Sequence, residues 1–144
     1  MPDNTHISRR HIQILSLAFF SLLLGFINYV LFQPRIALFD FIPIAASKPY
    51  FIQNNLLRIF LTGHFSDIAW CCALYLVTVV LTELKYLHLS GKILILLLPF
   101  IVEIAQYFGL VGGYFDWYDL LSYLIILLLF FKLYPSLKFK KNEK

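Results

Sequence analysis

Residues 93–134, ILILLLPFIVEIAQYFGLVGGYFDWYDLLSYLIILLLFFKLY, form two hydrophobic runs joined by a short polar turn. Glu103 lies near the end of the first run, and Asp116 and Asp119 lie at the start of the second. A charged group at the centre of a bilayer costs about 3 kcal/mol on insertion scales. Carboxylates at the facing ends of two apolar runs therefore predict a helical hairpin with a polar site at its turn.

The composition indicates a membrane protein. The chain has 144 residues, of which 60% are hydrophobic and 14% are charged, and its mean hydropathy is +0.78. Four runs come close to the roughly 20 apolar residues that cross a bilayer core. We predict an all-α membrane protein, a four-transmembrane-helix bundle that forms a single integral membrane domain over residues 1–144. Its predicted spans are residues 12–32, 65–82, 93–110 and 117–134.

The basic residues predict the orientation of the bundle. Nine of the 12 Lys and Arg residues fall on one side of a four-span arrangement. They are Arg9, Arg10, Lys85, Lys92, Lys132, Lys138, Lys140, Lys141 and Lys144. Because basic residues are retained in the cytoplasm, both termini should be cytoplasmic and the acidic turn should lie outside. These charges are divided among short flanks, so nucleic-acid binding is not expected.

The long first outer loop, Gln33–His64, contains an amphipathic segment at Tyr50–Phe65. Its apolar residues recur at nearly helical spacing, which predicts either an interfacial helix that caps the bundle or a partial re-entrant segment. Either arrangement would bring Arg58 and His64 near the outer ends of the spans.

The hairpin allows a geometric prediction. Its two helices should be antiparallel neighbours, so residues equally distant from the turn should face each other. Gln106 then opposes Asp119, and Glu103 opposes Ser122, with Tyr123 beside them. Residues three apart share a helix face, and we therefore expect these five polar groups to converge in the outer half of the membrane.

Several of these residues also have a purely structural explanation. Asp116 suits the N-cap of the last helix, and Asp119 resembles the acidic half of a capping box. Gln106 would serve as a bridge between helices. Glu103 is the hardest to explain in this way because an apolar decamer precedes it. It requires a proton or a cationic neighbour such as Arg58.

These motifs resemble those of a known family. EIAQ at residues 103–106, a short glycine-containing loop and FDWYDLLSY at 115–123 resemble the VanZ-like family of small bacterial integral membrane proteins. GHFSD at 63–67 is similar to the polar entry to the second span in that family. The usual Asn and Gly of the last span are absent, which leaves a diverged sister family open. The resemblance implies a multi-pass protein of the bacterial inner (plasma) membrane that faces the cell envelope. A named family member is associated with teicoplanin resistance.

The first of two function classes is an envelope protein that binds or modifies a lipid or lipid-linked glycan at the outer leaflet. Its candidate catalytic residues are Glu103, Gln106 and Asp119. Its candidate binding residues are Arg58, His64, Asp67, Asp116, Ser122 and Tyr123. Asp116 and Asp119 would hold a divalent cation or polarise a hydroxyl, but the sequence alone assigns no metal site and leaves the cofactor unknown.

The second class is a small transporter or an accessory subunit of a membrane complex. Glu103 would then carry a proton or a cation, in a chain that is free to form oligomers. The sequence contains no nucleophile motif that would favour an enzyme. Membrane lipids are the expected partners in both classes.

Overall fold

The computed structural model describes residues 7–32 and 54–137, and every element within these ranges is helical. In chain order they are α1 (Arg9–Phe32), α2 (Asn55–Ile59), a π-helical turn (Phe60–His64), α3 (Phe65–Glu83), α4 (Leu89–Tyr107), α5 (Trp117–Leu133) and a 3₁₀ turn (Pro135–Leu137). Residues 50–53 of the predicted interfacial segment and the lysines from Lys138 onward lie outside the described residues.

Three helical segments are long and apolar enough to cross a membrane, which is compatible with a membrane location. They are Arg9–Phe32, the continuous stretch Asn55–Glu83, and Leu89–Tyr107. Helix α5 has 17 residues, slightly fewer than the roughly 20 that a span usually needs. The all-helical prediction is therefore confirmed for the described residues, and the fourth span stays a prediction.

Helix α4 differs in its bounds from the predicted run at residues 93–110. It begins at Leu89 and ends at Tyr107. Gly109 adopts a positive φ of 67°, and the next amide, Leu110 N–H, donates to the carbonyl of Ala105 at 2.9 Å. This left-handed glycine ends the helix by a Schellman motif, a local signal that hydropathy alone does not register.

The described part of the predicted interfacial segment is helical, but it is not a separate element. Asn54 caps α2 by accepting hydrogen bonds from Leu56 N–H and Leu57 N–H at 3.0 and 3.2 Å. From Asn55 the helix continues through the π-helical turn into α3 without a break. Residues 55–64 therefore extend the second apolar helix.

Helix α3 is the central helix because it contacts α1, α4 and α5. Its approach to α1 is close at Gly25, where an added Cβ would lie 3.0 Å from Ala69 Cβ. Polar side chains join the two helices beside this contact. Asn28 Nδ2 donates to Leu61 O at 2.6 Å and to Ser66 Oγ at 3.0 Å. Small residues and interhelical hydrogen bonds are typical of helix packing in membranes.

The other side of α3 packs against α4 and α5 around Tyr75, which is completely buried. The Tyr75 hydroxyl donates to Leu96 O of α4 at 2.9 Å. Its ring contacts Phe130 of α5 edge to face, with centroids 5.5 Å apart. One aromatic side chain therefore fixes both helices of the hairpin against α3, and their polar ends meet the start of α3.

Candidate functional site

A cavity of about 640 Å³ lies where the π-helical turn, the start of α3, the end of α4 and the start of α5 meet. Seven of the residues predicted from the sequence line it. They are His64, Asp67, Glu103, Gln106, Asp116, Asp119 and Tyr123. The structure thus brings most of the predicted polar cluster into one cavity.

Glu103 lies in the last turns of α4 and is only 4% exposed. Its Oε2 accepts a hydrogen bond from Asp116 N–H at 3.3 Å. With the Gln106 amide oriented so that its nitrogen faces the carboxylate, that nitrogen lies 3.2 and 3.3 Å from the two Glu103 oxygens. Two neutral donors therefore hold the carboxylate in place without an ion pair: the Asp116 N–H at the end of the turn and the amide of Gln106 on α4 itself.

Asp119, in the first turn of α5, is 5% exposed. Its Oδ1 lies 2.7 Å from His64 Nδ1, a hydrogen bond that joins residues 55 positions apart. His64 ends the π-helical turn, and π-helical turns occur frequently at functional sites because they alter the direction of one side chain. This hydrogen bond connects the N-terminal end of α3 to the N-terminal end of α5 and fixes the orientation of the imidazole.

Asp116 is the N-cap of α5, and its Oδ1 accepts a hydrogen bond from Tyr118 N–H at 2.9 Å. The capping role expected from the sequence is therefore present. Ligand atoms of Asp116, Asp119 and His64 also lie within 4.8 Å of one another. In its capping position, the Asp116 carboxylate therefore lies beside the His64–Asp119 pair.

The cavity is strongly acidic. Four carboxylates line it, those of Asp67, Glu103, Asp116 and Asp119. No Lys or Arg among the described residues lines it. Asp67 makes no hydrogen bond or ion pair with any other residue in the ranges 7–32 and 54–137. Unpaired carboxylates close together favour binding of a proton or a cation.

Two predicted site residues do not line the cavity. Arg58 is exposed on α2, so it is not the cationic neighbour that we expected for Glu103. Neutral donors contact the carboxylate instead: the Asp116 N–H, which the turn brings to it, and the Gln106 amide, which lies three residues further along α4. Ser122 is half-buried on α5.

Residues of α1 also contribute to the cavity, which the sequence patterns did not predict. Tyr29 lines the cavity, and the preceding Asn28 is 5% exposed and anchors α1 to α3. Trp70 of α3 also lines it. Asn28 was detectable, since a single amide inside an apolar span usually marks a contact between helices.

An apolar layer lies beneath the cavity. Tyr123, only 3% exposed, lines the cavity and contacts the Phe100 ring edge to face at 5.9 Å. Tyr75, Leu96 and Phe130 belong to the same buried cluster. The polar space therefore occupies one end of the helix bundle.

The chain was compared with protein-family models, curated proteins and solved structures, and none of them matched.

Proposed function

We propose that this chain is a multi-pass inner-membrane protein of the bacterial cell envelope, similar to the VanZ-like family. In this proposal four spans place both termini in the cytoplasm. The acidic cavity then faces the outer leaflet and binds, or chemically modifies, the polar head group of a lipid or lipid-linked glycan.

The observation that carries the proposal is the acidic cavity at one end of the apolar helices. Glu103 lies one turn before the end of α4, and Asp119 lies in the first turn of α5. Head groups are presented at this depth when the helices cross a bilayer. Binding sites are concave, with a few convergent polar groups in a largely apolar wall. Tyr29 and Trp70 form an aromatic part of the cavity wall, which the carboxylates also line.

The chemistry of the lining suits a ligand that is rich in hydroxyl groups. Ionised carboxylates only accept hydrogen bonds, and they accept well from hydroxyls. Asp119 also orients His64, whose Nε2 makes no hydrogen bond with the other described residues. An imidazole held by a carboxylate is suited to accept a proton from a bound hydroxyl.

The burial of Glu103 supports a second candidate, a small transporter or accessory subunit that uses this carboxylate to carry a proton or a cation. The packing within one chain favours head-group binding instead. Below the cavity, apolar and aromatic side chains around Tyr75 and Phe130 fill most of the described bundle centre, and Thr78, which is buried there, donates its hydroxyl to Leu74 O of its own helix. A transport path would need a second copy or another subunit to provide polar groups there.

The proposal can be tested by measuring the lipids that the purified protein retains. Native mass spectrometry of protein released from mild detergent should detect a head-group class retained by the wild type. Glu103→Gln should lose it, because the amide keeps the shape of the side chain but removes its charge. Glu83→Gln is the matched control, since Glu83 lies at the other end of α3.

Lipid and glycan profiling of a deletion strain provides the corresponding cellular test. Wild type and Glu83→Gln should restore the lost lipid or glycan class, whereas Glu103→Gln should not. Equal retention and equal rescue by both variants would overturn the proposal. Glu103-dependent cation flux in vesicles, without lipid selectivity, would favour the transporter.

A further inference from the structure

The side chains of His64, Asp116 and Asp119 converge on one region of the acidic cavity. One ligand atom from each lies within 4.8 Å of the other two. Asp119 is 5% exposed, and all three residues line the cavity. Two elements supply them: the π-helical turn provides His64, and α5 provides Asp116 at its N-cap and Asp119 in its first turn.

We propose that His64, Asp116 and Asp119 bind a divalent first-row metal ion. One imidazole nitrogen and two carboxylate oxygens are a ligand set that suits Zn²⁺ or Mn²⁺ better than Mg²⁺ or Ca²⁺, which prefer oxygen alone. Such ions take their ligands at about 2.0–2.2 Å, so two ligand atoms on opposite sides lie about 4.4 Å apart. Small side-chain rotations would bring the three atoms to these distances.

The charge of the cavity is a separate reason to expect a cation. Two further carboxylates, Asp67 and Glu103, line the same space, and no Lys or Arg of the described chain lines it. Asp67 has no hydrogen-bonding or ion-pair partner among those residues. A divalent ion at the three ligands would offset part of this negative charge, which burial makes costly.

The bound ion would have an open coordination position that faces the cavity. Three protein ligands leave at least one coordination position open, as in catalytic zinc sites. That position would face the cavity and take a water or a head-group hydroxyl. This use of the open position rests on the proposed function, whereas the metal site itself does not.

The competing explanation is purely structural. The 2.7 Å bond between His64 and Asp119 joins two helices, and Asp116 caps α5. Asp116→Asn separates the two explanations, because Asn is about as good an N-cap as Asp but is a much weaker metal ligand. Thermal unfolding of this variant should match the wild type.

The test is a titration of EDTA-stripped, purified full-length protein in detergent with Mn²⁺, followed by electron paramagnetic resonance. We expect one site that Zn²⁺ displaces. Its affinity should fall at least about tenfold in Asp116→Asn and in His64→Ala, by analogy with disrupted metal sites. His11→Ala is the matched control and should bind as the wild type does, because His11 forms a histidine–carboxylate pair with Glu83, 3.3 Å away.

Absence of a stoichiometric Mn²⁺ or Zn²⁺ site in the folded wild type would overturn the metal inference. Equal affinity in wild type and Asp116→Asn would overturn it too. The two proposals fail separately. Metal binding without Glu103-dependent lipid retention would remove only the proposed function, and lipid retention without a stoichiometric metal site would remove only the metal inference. If the metal binds but EDTA and Asp116→Asn leave lipid retention unchanged, only the proposed use of the open coordination position is removed.

Discussion

The carboxylates at the two ends of α3 have different surroundings: one is in an ion pair, and the others line a cavity. At its C-terminal end, Glu83 lies 3.2 Å from Arg10 Nη2 and 3.3 Å from His11 Nε2, both on α1. At its N-terminal end, the carboxylates face a cavity that no described Lys or Arg lines. About 27 Å separates these ends along a 19-residue helix.

This difference distinguishes a carboxylate that fastens helices together from carboxylates that remain available to a ligand. Glu83 is paired with Arg10 of the neighbouring helix and also contacts His11, so its counter-ion is supplied within the described chain. Glu103 is held by neutral donors, Asp116 N–H and the Gln106 amide, which position the group without cancelling its charge. Buried charge without a counter-ion is costly and is therefore typical of functional sites.

The largest expected effect is on function at the cavity end. Asp119→Asn should reduce the amount of the lost lipid or glycan class that is restored in the deletion strain. We expect a reduction by a factor of about 10²–10⁴, the usual contribution of a general acid or base and its orienting partner. Glu83→Gln should stay within about twofold, because Glu83 lies at the other end of α3 and does not line the cavity. Similar losses of rescue in Asp119→Asn and Glu83→Gln would contradict the proposed functional difference between the two ends of α3.

A smaller effect is expected from the polar anchor of α1 near the cavity. Asn28→Leu would leave Leu61 O and Ser66 Oγ without their donor. We expect a loss of about 1–3 kcal/mol in the free energy of unfolding, the cost of unsatisfied buried polar groups. Equilibrium unfolding in mixed micelles measures it. Phe19→Leu, on the exposed face of α1, is the control, and an equal loss there would contradict the assignment.

In the turn between α4 and α5, substitution of Gly113 should destabilise the protein, whereas substitution of Gly112 should not. Gly113 has a φ of 131°, and an added Cβ would lie 2.8 Å from Gln106 Cδ. Gly113→Ala should therefore destabilise the protein by about 1–2 kcal/mol and displace the amide that faces Glu103. Gly112→Ala should be nearly neutral, since nothing lies within 4 Å of its added Cβ. Paired melting curves compare them, and equal shifts would refute the prediction.

The smallest effect is expected at the opposite end of α3. The Arg10 side chain is 60% exposed in its pair with Glu83. Arg10→Ala should change the free energy of unfolding by no more than about 0.5 kcal/mol, because exposed ion pairs gain little over hydration. The remaining effect should shrink as salt is raised. A loss above that of Asn28→Leu would show that this end, and not the cavity end, determines the packing of α1.

The acidic site was only partly predictable from the sequence. Glu103 and Asp119 were identified because they interrupt apolar runs, and the short turn predicted their proximity. The pairing of His64 with Asp119 was not predicted, since these residues are 55 positions apart and no local rule connects them. Arg58 was assigned to the site by its position near the outer end of a span, but it lies exposed on α2.

The sequence by itself determined the all-helical fold class, the approximate helices and the N-cap at Asp116, because hydropathy and backbone hydrogen bonding depend on neighbouring residues. Only the tertiary structure decided which polar side chains share the cavity. That choice depends on how each helix is rotated about its axis, which close contacts such as Gly25 against Ala69 fix across helices. The π-helical turn before α3 also sets the direction of His64, and such a turn leaves no clear local signal in the sequence.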